Sequence, residues 1–180
     1  MDNVTYNSDK VFLYKQLEKQ VFTIQLDNGS ITMMPKPPSG KPLNNFIGFL
    51  KDRGINRVVS LLQYDEINRF ALVNEGSECK NFEVDFINFQ IKDHSVPQFF
   101  VPFNQLIEEL SSEVLQGKNI AIHCFAGIGR TGLTAASILI KQGLQVDSAL
   151  ITLSRTRGLR VPETLEQISW LHRYAEQLHV

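Results

Sequence analysis

Apolar positions along the chain fall into short runs of two kinds, strand-like alternation and helical three-to-four spacing. VFTIQLDNG (21–29) alternates and ends in Asp-Asn-Gly, which predicts a strand entering a turn. MPKPPSGKP (34–42) has four prolines and one glycine and is read as a loop on the surface or along a cleft rim. Helical spacing of Leu43, Phe46, Ile47 and Leu50 predicts a helix over 42–54, stopped by Gly54. A short buried strand over 56–62 and a helix over 65–76 are expected next. Residues 82–91 read as a strand leading into the loop DHSVP, and 101–115 as a helix with Phe103, Leu106, Ile107 and Leu110 inward. NIAIHC (119–124) is continuously apolar, the mark of a strand covered on both faces. After FAGIGRTG come helices over 133–143, 146–157 and 162–178. The first ten residues are polar and read as a loose start.

Strands alternating with helices imply an α/β single domain, a central, mainly parallel twisted sheet with helices on both faces. The domain is placed at 31–180, after an N-terminal extension of residues 1–30. The 180 residues carry 18 Lys and Arg against 19 Asp and Glu, a balance that argues against bulk electrostatic binding of nucleic acid. The longest apolar stretch, residues 133–140, is less than half a membrane span, and the amino-terminal residues lack a signal-like apolar core. Cys79 and Cys124 lie 45 residues apart and form neither a disulfide framework nor a zinc pattern. These features fit a reduced, cytoplasmic setting without membrane, cofactor or metal.

The chemistry concentrates in HCFAGIGRTG (123–132). Its glycines satisfy the dinucleotide-binding spacing, with Asp147 near the place of a ribose-binding acid, but Asp147 opens a helix and no second strand follows. The spacing suits a phosphate cradle better. Cys124 ends a buried strand, and Arg130 opens a helix. The intervening backbone of Phe125, Ala126, Gly127, Ile128 and Gly129 is long enough to wrap a tetrahedral anion with inward amides. Gly127 and Gly129 allow positive φ, and the Arg130 fork matches two phosphoryl oxygens. The same positive field favours a Cys124 thiolate. Thr131 is expected to hydrogen-bond that sulfur, and His123 to tether the loop from behind. As a small buried hydrophobe Cys124 would need neither the arginine nor the glycines.

This segment resembles the His-Cys-x5-Arg-Ser/Thr-Gly signature of the cysteine-dependent protein tyrosine phosphatases. GINRVVSLL before an acidic helix, and SRTRGLRVPETLEQISWL after the signature, resemble compact dual-specificity phosphatases of the cyclin-dependent kinase inhibitor 3-like group. The resemblance covers roughly residues 31–178. It implies a metal-independent phosphatase acting on phosphorylated protein, with phosphotyrosine the first substrate and phosphoserine or phosphothreonine open. Phosphate or sulfate is the expected occupant of the cradle. It also implies a general acid, assigned to Asp93, 31 residues before Cys124, with Asp85 and His94 as rivals. Gln167 stands where relatives place a glutamine that positions water, with a solvated helix residue as the alternative. Arg155, Arg157 and Arg160 either border the pocket or complete a helix end. Cys79 is weighed as a redox partner for Cys124, as some relatives use, against a free thiol. His172 and His179 share a helix face but lack further ligands for a metal. The loop has no lysine, where relatives acting on polyphosphorylated inositol lipids usually carry some, and this favours a protein monoester. The rival classes are a phosphopeptide-binding module with weak turnover, a phosphatase for a non-protein ester, and a sulfur-transfer or arsenate-reducing enzyme.

Overall fold

The computed structural model describes the backbone of residues 3–178, with side chains from Lys10 onward. Five strands are described: β1 (Phe22–Gln25), β2 (Ser30–Met34), β3 (Ile55–Ser60), β4 (Asp85–Asn88) and β5 (Asn119–His123). They form one sheet in the order β1-β2-β5-β3-β4, with β1 antiparallel to β2 and the other pairs parallel. The expected class is therefore observed. The first strand lies within the residues read as an extension and pairs directly with β2.

Among the described residues eight helices surround the sheet: α1 (Asn3–Glu18), α2 (Lys41–Asp52), α3 (Tyr64–Arg69), α4 (Glu75–Asn81), α5 (Phe100–Leu115), α6 (Gly129–Lys141), α7 (Val146–Arg157) and α8 (Leu165–Gln177). The strand period of two divides the core between the sheet faces. On β5, Ile120 and Ile122 join one cluster with α5–α8, while Ala121 joins the other with α2 and α4. Val59 and Val58 divide in the same way on β3. Helix α6 is buried from Gly129 through Ile140, as its apolar composition all round requires. Two of its hydroxyls are satisfied within the helix, Thr134 donating to the Arg130 carbonyl at 3.0 Å and Ser137 to that of Leu133 at 2.9 Å.

Four expectations change. Of the first ten residues, 3–10 are not a loose start but lie in α1, whose Leu13, Tyr14 and Leu17 pack on the α2 side of the core, and the first two lie outside the described residues. Tyr14 meets Phe49 edge-on at 5.0 Å, and its hydroxyl donates to Asp52 at 2.7 Å. The single helix expected over 65–76 is two, broken where Ala71 takes φ 53° and buried Leu72 turns inward. Gly76 does not stop a helix but lies in the first turn of α4, where a Cβ would stand 2.9 Å from the Phe86 ring. The strand read over 82–91 is only the four residues of β4, because the chain from α4 turns back through the Val84 amide onto the Cys79 carbonyl at 2.9 Å. The last helix begins at Leu165 rather than 162, since Thr164 caps it reciprocally with Gln167.

The carboxyl ends of β2, β5 and β3 lie side by side, with His123 opposite both Met34 and Ser60. Open α/β sheets bind ligands at such an edge. Here it carries the cysteine segment.

Candidate active site

Strand β5 delivers Cys124 to the sheet edge, where it is 3% exposed, and α6 starts five residues later. The carbonyls of the intervening loop face outward. Phe125 accepts from the Lys36 amide at 3.0 Å, while Ala126 and Gly127 accept from the Arg157 guanidinium at 3.2 and 3.3 Å. Among the described residues no backbone carbonyl accepts from any N–H between Phe125 and Thr131. Gly127 has φ 69°, and a Cβ there would stand 2.4 Å from the Met34 carbonyl, so only glycine fits. The result is a cup of unpaired main-chain donors at a helix amino terminus, the arrangement that receives an oxyanion.

Arg130 is 1% exposed and held by its ends. Its Nη1 donates to Glu66 Oε2 at 2.6 Å and to the Ile91 carbonyl at 3.0 Å; its Nη2 donates to Glu66 Oε1 at 2.9 Å. Its Nε is buried with no partner, and so is Thr131 Oγ1, which makes no hydrogen bond to the sulfur in this structure. Burial alone would lower the Arg130 pKa, but Glu66, Cys124 and Asp93 together raise it. Burial likewise works against the Glu66 carboxylate, and Arg130 with the Gln63 amide outweighs it, holding Glu66 below the ordinary carboxyl range. Burial lowers Arg157, with Cys124 acting in opposition. Cys124 therefore lies within electrostatic reach of two guanidinium groups.

Asp93 reaches over the cup, with Oδ1 2.9 Å from Arg130 Nη2. Its neighbour His94 takes a left-handed φ of 57° and lies 3.6 Å from Asp93 and 3.5 Å from Glu163. Gln167 is not a solvated helix residue but fully buried. Its Oε1 accepts from the Glu163 and Thr164 amides, both at 3.2 Å, and its Nε2 donates to the Ser95 carbonyl at 3.0 Å. A Cβ on Gly129 would lie 3.1 Å from the Gln167 amide and from Glu163 Oε2. Gln167 thus staples the Asp93 loop to the start of α8 directly above the start of α6.

Behind the loop, His123 is fully buried, with Nδ1 3.3 Å from the Cys124 carbonyl and Nε2 2.8 Å from Glu75, a contact lacking hydrogen-bond alignment. Asp85 lies at the start of β4, beside Arg57 at 3.5 Å, away from the cup. Of the three arginines after the signature, only Arg157 touches the loop through described hydrogen bonds. Cys79 is free and buried in the opposite core, where burial, with Glu75 and Glu78, pushes its thiol up to about 12. That environment disfavours a redox pair with Cys124. His172 lies 4.0 Å from Asp147, and His179 lies outside the described residues. No cluster of three or more His, Cys, Asp or Glu that could hold a metal occurs among the described residues. No helix among them is long and apolar enough to cross a membrane.

Sequence reasoning missed Glu66, whose only signal was an acidic first turn, and the clasp formed by Arg157. Glu163 and the staple by Gln167 depend on the fold bringing the segments 92–97 and 162–167 together.

Residues 33–144 match the family model "Polymorphic toxin system, DSP-PTPase phosphatase". Cyclin-dependent kinase inhibitor 3 of Rattus norvegicus is 24% identical over 131 residues, 72% of this chain and 61% of that protein. PRL-1 phosphatase of Drosophila melanogaster is 28% identical over 144 residues, 76% of this chain and 73% of that protein. The crystal structure of a kinase associated phosphatase with its catalytic-site cysteine replaced by serine superposes with TM-score 0.79 at 19% identity, covering 89% of this chain and 96% of that one. The chain therefore spans about three fifths of the first of these relatives.

Proposed function

Because the chain belongs to the DSP-PTPase phosphatase family, we propose that it hydrolyses phosphate monoesters on proteins through a cysteinyl-phosphate at Cys124. The observation that carries this reading is the set of unpaired donors beside one buried thiol: the amides from Phe125 to Thr131 and the buried Arg130 Nε. Buried donors are rarely left without partners, and these converge where a phosphoryl group would sit. Phosphate or sulfate should occupy the same cup.

In the first step the Cys124 sulfur attacks phosphorus and the ester P–O bond breaks. Asp93 gives its proton to the departing oxygen. In the second step water attacks phosphorus, the P–S bond breaks, and the Asp93 carboxylate takes the proton from that water. Arg130 and the amides hold the three non-bridging oxygens throughout. The Thr131 hydroxyl, which has no partner at rest, is available to donate to the sulfur as it leaves, and His123 fixes the loop carbonyl behind it. Gln167 keeps the Asp93 loop in place, a role its committed amide supports better than direct positioning of water. Asp93 and substrate share Arg130, so the incoming phosphoryl group competes with the 2.9 Å ion pair. A cytoplasmic setting suits two free thiols.

The test is initial-rate hydrolysis of an aryl phosphate by Cys124→Ser alongside vanadate binding. Loss of turnover with binding retained is expected. Turnover that persists in this variant overturns the assignment.

A further inference from the structure

Beside the nucleophile, three separate segments build one aromatic and cationic surface. Phe125, the residue after Cys124, is 48% exposed and stacks on Phe70 with ring centroids 5.1 Å apart and planes 21° apart. Lys36 Nζ lies 5.2 Å from the centre of the Phe70 ring, and Arg69 Cζ lies 4.8 Å from it. The Lys36 amide is bonded to the Phe125 carbonyl, so this cation is tied to the cup itself. Neither Lys36 nor Arg69 has an ion-pair partner among the described residues. Arg69 acts on Glu66, but both oxygens of that carboxylate are already bonded to Arg130.

We propose that Lys36, Arg69, Phe70 and Phe125 form a subsite for an acidic side chain next to the phosphorylated residue of an incoming peptide. The inference rests on the phosphatase reading of Cys124. The stacked rings give the peptide an apolar surface at the mouth. They also hold two long cationic side chains by cation–π contact, so less side-chain freedom is lost when a carboxylate docks. Arg69 is exposed and Lys36 half-buried, so both act at a rim, by complementarity and by repelling basic flanks.

The test uses the full chain carrying Cys124→Ser and two phosphotyrosine peptides that differ only in flanking aspartate or lysine, with binding followed by fluorescence anisotropy. The aspartate peptide should bind about five- to tenfold more tightly, the scale of two exposed charge pairs. Adding Lys36→Glu and Arg69→Glu should abolish that preference, and raising the salt concentration should shrink it. Equal affinities, a preference that survives the charge reversal, or no binding of either peptide overturns the subsite. Wild-type protein that turns over neither peptide, while the Cys124→Ser preference holds, refutes the phosphatase reading and leaves the subsite standing.

Discussion

Glu66 and Arg130 meet fork to fork, Oε2 on Nη1 at 2.6 Å and Oε1 on Nη2 at 2.9 Å, and with the Ile91 carbonyl on Nη1 and Asp93 on Nη2 only Nε of the guanidinium has no partner. One carboxylate thereby sets the direction of the group that would bind phosphate. Both partners are buried, so removing one strands a charge in the interior. Glu66→Ala should cost about 3–5 kcal/mol of unfolding free energy, read from urea denaturation. A loss under about 1 kcal/mol would show that the pair is not structurally coupled.

The same pair makes stability depend on acid. The folded-state pKa of Glu66 is held below its ordinary value, about 4.3 for an unfolded glutamate. Its contribution is therefore fully present above that value and lost as pH falls through the lower folded one. Wild-type protein should lose stability across this acid window more steeply than Glu66→Gln. Parallel pH–stability curves for the two proteins would contradict the coupling.

In the proposed reaction Asp93 gives a proton to the leaving oxygen. Asp93→Asn should slow turnover of an alkyl or weakly acidic aryl ester by about 10²–10⁴ and flatten the alkaline limb of the pH–rate profile. An unchanged profile would move the acid elsewhere, with adjacent His94 the first candidate.

Gln167 links the capping box of α8 to the Ser95 carbonyl. In Gln167→Ala the half-buried Ser95 carbonyl and the Thr164 amide lose partners, at about 1–3 kcal/mol of stability. Backbone exchange in residues 92–97 should quicken, as seen by hydrogen–deuterium exchange. If exchange there is unchanged, Gln167 does not hold the loop.

The cysteine segment was legible because its chemistry is local. Cys124, the glycines and Arg130 lie within seven residues, and one strand-to-helix turn positions them all. Asp93 was accessible only through resemblance, since nothing in KDHSVP states that its loop crosses above Arg130. Glu66 was read as an acidic helix start, because its partner is 64 residues away. Helix α1 escaped because its apolar contacts cluster at Leu13, Tyr14 and Leu17 among polar neighbours, and only α2 shows what they cover. The break at Ala71 was hidden for the opposite reason. Helical spacing runs on through Ile67, Phe70 and Ala71, and tertiary burial of Leu72 and Cys79 overrides it.

Mass spectrometry of protein quenched in acid during turnover of an aryl phosphate tests the central claim most directly. A single added phosphoryl group should map to the peptide containing Cys124 and be missing from Cys124→Ser treated in the same way. A phosphoryl group found instead on another side chain, such as His123, would contradict the account.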